Sequence, residues 1–170
     1  MTQKERIGIF GPHKTSLAGE AVKTGEKAQD FTVVGKDLNP LNFSKYNGKI
    51  RIISVAPSVD TDVCSAQTRR FNEEATKLGD AVVVSVSMDL PFALARFCAA
   101  EGIEAVVTTS DHKEADFGMK YGFLMKELRL LNRGVVVIDK NGIIRHVEYV
   151  ENNSNQPDYD KALEVVKSLG

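Results

Sequence analysis

Residues 50–64 read Ile50-Arg51-Ile52-Ile53-Ser54-Val55-Ala56, then Pro57-Ser58-Val59-Asp60-Thr61-Asp62-Val63-Cys64. The first seven form a nearly continuous apolar run rich in isoleucine, which suits a central strand covered on both faces. Beyond Pro57 the period changes. Phe71, Ala75 and Leu78 fall at i, i+4 and i+7 with Gly79 at the expected stop, so a helix is predicted over residues 64–78. Asp60, Thr61 and Asp62 are its N-cap candidates.

The same alternation continues outward. Residues 81–87 (AVVVSVS) and 134–139 (GVVVID) are further buried-type strands, and 104–110 (EAVVTTS) is a shorter one. A helix is predicted over 91–101, with Asp89 near its start and Gly102 after it, and a shorter one over 113–121 before Gly122. Residues 143–150 (IIRHVEYV) should pair antiparallel with the strand before them, because Asn141-Gly142 supplies the φ > 0 residues of a tight hairpin. Residues 31–35 and 41–43 flank Asp37-Leu38-Asn39-Pro40 and suggest an earlier hairpin. The last helix runs over 157–169, with Tyr159, Ala162, Leu163 and Val166 on one face and Asp158 and Asp160 in its positive first turn. Such a series predicts an α/β fold with a central mixed β-sheet and helices on both faces. A thioredoxin-like domain fits it, and flavodoxin-like folds share the same alternation.

The bulk properties narrow the class. With 170 residues, 42% of them hydrophobic, the chain can bury one sizeable core, so 1–170 is read as one domain. The one sustained polar stretch, residues 151–156, reads as a surface loop. A net charge of −1 gives no footprint for nucleic acid or an anionic membrane, and Arg69 and Arg70 are offset by Glu73 and Glu74 a turn later. No signal-peptide run follows Met1-Thr2-Gln3-Lys4-Glu5-Arg6 and no stretch approaches a membrane span, so a soluble cytoplasmic protein is expected. Two cysteines in that setting are inert thiols, metal ligands or redox groups rather than a structural disulfide framework.

Cys64 falls in the first turn of its helix, where free backbone N–H groups and the helix dipole favour a thiolate. The Thr61 hydroxyl can reach the sulfur from the same turn, and Pro57 can shape the loop and exclude water. Taken singly, each has a plainer reading: a small buried hydrophobe, an N-cap and a strand terminator. Arg133 opens a buried strand, a costly place for a cation without a partner; an acid such as Asp60 or a thiolate would serve. Metal chemistry finds no support, because Cys64, Cys98, His13, His112 and His146 show no ligand spacing. A Cys–His hydrolase likewise has no local signature.

Pro57, Thr61 and Cys64 together make Pro-x-x-x-Thr-x-x-Cys between strand and helix, which resembles the active-site signature of the peroxiredoxins. The run Ser58-Val59-Asp60-Thr61-Asp62-Val63-Cys64-Ser65-Ala66-Gln67-Thr68-Arg69-Arg70-Phe71-Asn72 is similar to the thiol peroxidase subfamily, the atypical two-cysteine type. So are Leu90-Pro91-Phe92 leading to Arg96-Phe97-Cys98, Leu130-Leu131-Asn132-Arg133, and Pro157-Asp158-Tyr159. The resemblance covers nearly all of the chain from Gly25 onward.

It implies a thioredoxin-like fold with an N-terminal β-hairpin extension over about residues 1–24. It also implies a cofactor-free peroxidase acting on hydrogen peroxide and organic hydroperoxides. Cys64 would attack the peroxide, Thr61 and Arg133 would hydrogen-bond the sulfur and the peroxide oxygens, and Pro57 would shield the thiolate. Cys98 would resolve the sulfenic acid as an intramolecular disulfide, which thioredoxin would reduce, in a homodimer whose interface lies near the active-site loops. Two features depart from the family pattern: Asp62 stands where Gly or Pro is usual, and Arg6-Ile7-Gly8-Ile9-Phe10-Gly11-Pro12 matches the hairpin only loosely. The competing function is a redox sensor or disulfide carrier without peroxidase turnover. A carrier would ordinarily use Cys-x-x-Cys, whereas Gln67 and Glu101 stand three residues after the two cysteines.

Overall fold

The computed structural model describes residues 5–170, so Met1-Thr2-Gln3-Lys4 of the expected N-terminal extension lie outside the described residues. Three Val- and Ile-rich strands, β5 (Arg51–Val55), β6 (Val82–Ser87) and β7 (Val106–Ser110), run parallel at the centre. β10 (Gly134–Ile138) lies antiparallel beside β5, and β11 (Ile144–Tyr149) beyond it. On the far side β7 meets β3 (Thr32–Val34) and then β4 (Pro40–Asn42), so the sheet order is β11-β10-β5-β6-β7-β3-β4. Two small hairpins stand apart from it, β1 (Ile7–Phe10) with β2 (His13–Ser16), and β8 (Leu124–Met125) with β9 (Leu130–Leu131).

Strand periodicity sends alternate residues to two cores, which is why the central strands carry apolar residues on both faces. Ile53, Val55, Val84, Val86 and Val136 face a cluster with Phe31, Phe43 and Phe123, joined there by Phe117 of α3 (Asp116–Lys120). Ile52, Val83, Val135 and Val137 face the other cluster, with Phe71 of α1 (Asp62–Ala75), Cys98 of α2 (Pro91–Glu101) and Ala162, Leu163 and Val166 of α4 (Tyr159–Leu169). The thioredoxin-like architecture, the N-terminal hairpin and the 31–43 hairpin are as expected.

Local details differ for physical reasons. α1 stops at Ala75 rather than Leu78, because Lys77 and Leu78 donate to the carbonyls three residues back and tighten the last turn. Gly79, with φ +63°, still reverses the chain. α3 begins at Asp116, because Ala115 is left-handed (φ 52°) and the Asp111 carboxylate accepts from the Phe117 and Gly118 amides at 3.1 and 2.8 Å. The β10–β11 turn has a positive φ at Gly142 and none at Asn141. Asp139 Oδ1 accepts from the amides of Asn141 and Ile143, both at 2.9 Å, and a bulge shifts the register between Val137 and Ile138.

His146 on β11 carries the one buried side-chain nitrogen or oxygen without a hydrogen-bond partner among the described residues, its Nε2. Burial pushes its pKa below 6.5, with Lys161 acting in the same sense and Glu148 and Asp158 against it. Below pH 6.5 the unfolded chain therefore takes up a proton that the folded one resists, and stability falls as pH falls. His146→Leu should raise stability by about 1 kcal/mol by removing the unsatisfied nitrogen. It should also flatten the loss of Tm between pH 7.5 and pH 5.5 in thermal melts; an unchanged slope would assign that loss elsewhere.

Candidate active site

The position of Cys64 is set by the turn that starts α1. Thr61 is the N-cap in extended conformation (φ −93°, ψ 148°). Its Oγ1 accepts from the Cys64 amide and donates to the Ser58 carbonyl, both at 3.2 Å, so it serves the backbone and not the sulfur here. Asp62 does not cap the helix. It sits exposed at the first helical position, where negative charge suits the dipole. Pro57 is buried in the loop between β5 and this turn.

The Cys64 side chain, 0% exposed, faces a guanidinium. Arg133 Nη2 donates to Cys64 Sγ at 3.1 Å and Nη1 to Gln67 Oε1 at 2.7 Å. Nε and Nη2 also donate to the Asn153 carbonyl, at 3.1 and 2.9 Å. Arg133 is 1% exposed and, among the described residues, makes no ion pair with a carboxylate, Asp60 included. A buried cation is costly unless an anion meets it. Of its side-chain and carbonyl partners, only the sulfur can carry a full negative charge.

The arginine is held from three directions. Gln67 Nε2 donates to Ser54 Oγ at 2.8 Å and to the Val55 carbonyl at 3.1 Å, which fixes the amide with its oxygen towards Arg133. Asn153 Oδ1 accepts from the Arg133 amide at 2.6 Å, and its Nδ2 donates to Asn132 Oδ1 and to the Ile9 carbonyl. Gly134 follows, where a Cβ would collide with the Glu148 carbonyl and the Phe123 ring, so β10 can begin directly after the arginine. Tyr159 lies near this cluster; burial pushes its hydroxyl up to about 12, against the pull of Arg133 and Arg70, so it stays protonated. Gln67 and Asn153 escaped the sequence reading. Gln67 stood out there only as the residue that breaks Cys-x-x-Cys, and Asn153 lay within the stretch read as a surface loop. That loop is largely exposed, yet Asn153 itself is buried.

Cys98 is apart from this cluster. It is buried on α2 in the second core, with its Sγ 3.4 Å from Thr108 Oγ1 on β7, and both cysteines are free. Gln67 ties the Cys64 end of α1 to β5, whereas Cys98 rests on β7, two strands further on. The two free thiols therefore have different partners, Arg133 for Cys64 and Thr108 for Cys98. A cavity of about 710 Å³ by Arg6, Leu17, Glu20 and Lys126 touches neither cysteine.

A cysteine at a helix start, held against a buried arginine on a thioredoxin-like sheet, defines a thiol-redox enzyme. The redoxin family pattern matches residues 23–163. The chain is 55% identical to the thiol peroxidase of Oceanobacillus iheyensis, over 91% of this chain and 94% of that one. It is 52% identical to the thiol peroxidase of Bacillus subtilis, over 91% and 92%. A solved peroxiredoxin-like protein from Aquifex aeolicus superposes with a TM-score of 0.90 at 36% identity, over 97% and 98% of the two chains. The chain belongs to the redoxin family and, within it, to the thiol peroxidases, enzymes that reduce peroxides with a cysteine thiol.

Proposed function

We propose that Cys64 reduces hydrogen peroxide and organic hydroperoxides and that Cys98 resolves the product. The observation that carries this reading is the 3.1 Å contact between Arg133 Nη2 and Cys64 Sγ at the start of α1. The thiolate takes the terminal peroxide oxygen and the O–O bond breaks. Sulfur becomes a sulfenic acid, and the other oxygen leaves as hydroxide or alkoxide, then gains a proton to give water or an alcohol. Arg133 stabilises the charge at both ends of that transfer. The Thr61 hydroxyl turns from the Ser58 carbonyl to the peroxide, and Pro57 keeps water from the loop side. Cys98 thiolate then attacks the Cys64 sulfur: an S–S bond forms, the S–O bond breaks, and hydroxide leaves to become water. A dithiol reductant, thioredoxin in this proposal, takes the oxidation onto its own cysteines.

The reading extends to residues 1–170 as one domain, to the cytoplasm and to a homodimer. Supporting the dimer, Phe92 (69% exposed) and Leu90 leave apolar surface next to Asp89 and the Cys64 loop. Among the described residues no helix is long and apolar enough to cross a membrane.

Cys98→Ser tests the division of labour. The variant should consume one equivalent of peroxide and accumulate sulfenic acid, which excess peroxide carries on to the sulfinic form. Mass spectrometry reads both products. Thioredoxin-driven turnover at the wild-type rate would remove Cys98 from the mechanism, and a sensor would stop after one equivalent even in the wild type.

A further inference from the structure

We propose that Asp89 is a positioning residue: its carboxylate ties the Cys64 turn to the entry of the Cys98 helix, so that the two open together. The inference rests on the roles given above to Cys64 and Cys98.

Asp89 follows β6 and precedes Leu90, the N-cap of α2, yet no side-chain bond caps that helix. The carboxylate turns to the other loop instead. Oδ1 accepts from Ser58 Oγ at 2.6 Å, and Oδ2 accepts from the Val59 amide at 2.8 Å and from Ser87 Oγ at 2.9 Å. Ser58 passes the connection on. Its Oγ accepts from the Asp60 amide at 3.1 Å, and its carbonyl accepts from the amide and the hydroxyl of Thr61 at 3.3 and 3.2 Å. Thr61 Oγ1 in turn accepts from the Cys64 amide. An unbroken path of hydrogen bonds and short backbone links therefore joins Asp89 to the first turn of α1. In the other direction two bonds of sequence separate it from Pro91, the first residue of the Cys98 helix.

The carboxylate gathers three donors, Ser58 and Val59 of the Cys64 loop and Ser87 at the end of β6. Its position matters because Cys64 must leave Arg133, and Cys98 must leave Thr108, before their sulfurs can meet. Moving the start of α2 drags Asp89 off Ser58 and Val59. That releases the Ser58 turn, whose carbonyl holds the Thr61 amide, and with it the Thr61 cap on the first turn of α1. The closed arrangement that presents Cys64 to peroxide and the open one that admits Cys98 are thus balanced against each other through one side chain.

The test compares Asp89→Ala, Asp89→Asn and Ser58→Ala with wild type. Hydrogen exchange is read on the reduced proteins, and sulfenic acid formation and disulfide formation are timed after one equivalent of hydrogen peroxide. Asp89→Ala should speed exchange at residues 63–67 and at 91–98 together. It should slow sulfenic acid formation about tenfold or more, since all three bonds to the carboxylate are lost, while disulfide formation becomes faster. Asp89→Asn keeps an acceptor for Val59 and Ser87 and turns a new N–H towards Ser58 Oγ, so both steps should return to within about threefold of wild type. Exchange that rises only at residues 58–61, or two steps that slow together, would overturn the coupling, as would an Asn variant no better than Ala. If Asp89→Ala does not fold, Ser58→Ala decides: unchanged exchange at 91–98 counts against the proposal. If wild type consumes no peroxide, the functional reading fails, while the exchange comparison still decides whether the two loops are coupled.

Discussion

Cys64→Ser should abolish peroxide consumption, down to the uncatalysed background. The substitution removes the one group in contact with Arg133 that can act as a sulfur nucleophile, and changes little else. Serine keeps the backbone amide that Thr61 caps and the carbonyl that accepts from Thr68 Oγ1 at 3.1 Å, so α1 should form as before. Its hydroxyl is not ionised near neutral pH and has no adjacent general base among the contacts of the site, whereas a thiolate attacks directly. Peroxide consumption with saturating reductant gives the rate, and circular dichroism with a thermal melt confirms the fold. Retained turnover in a folded variant would remove Cys64 from the chemistry and make Cys98, the remaining thiol, the candidate nucleophile.

Much of this was legible in the chain because the relevant signals are local. Apolar runs covered on both faces and the 3.6-residue period of residues 64–78 come from burial that each segment carries by itself. The cap at Thr61 is likewise written within four residues of Cys64. Arg133 was legible for a different reason: a cation inside an apolar run has to find a partner, whatever the fold. What supports it was not legible. Gln67 and Asn153 are neutral amides whose value lies in where their oxygens point, and they reach Arg133 from 66 and 20 residues away. Nor did Asp89 show its partner: a carboxylate just before a helix reads as a cap, and only the packing of two loops turns it towards Ser58. The ends of α1 and α3 moved for the same kind of reason, since tightened turns and the distant Asp111 carboxylate override the local period.

Arg133→Met should slow sulfenic acid formation by about 10²-fold or more, the cost of losing a charge-stabilising donor in a water-excluded site. The loss has two parts. In the proposed mechanism the Cys64 sulfur forfeits its cationic partner before reaction, and the departing oxygen forfeits a fixed donor as charge moves onto it. Methionine fills much of the space but leaves Gln67 Oε1 without its Arg133 donor, and the Asn153 carbonyl without its two Arg133 bonds. A stability penalty of about 1–3 kcal/mol should therefore accompany the kinetic effect. Arg133→Lys separates charge from geometry: an ammonium keeps the positive charge but cannot span Cys64, Gln67 and Asn153 with a rigid fork. It should fall between methionine and wild type in rate. Rapid mixing with one equivalent of hydrogen peroxide measures the oxidation step apart from resolution, and denaturant unfolding measures the stability. A methionine variant that loses stability but oxidises at the wild-type rate would make Arg133 a structural cation whose contact with the sulfur is incidental.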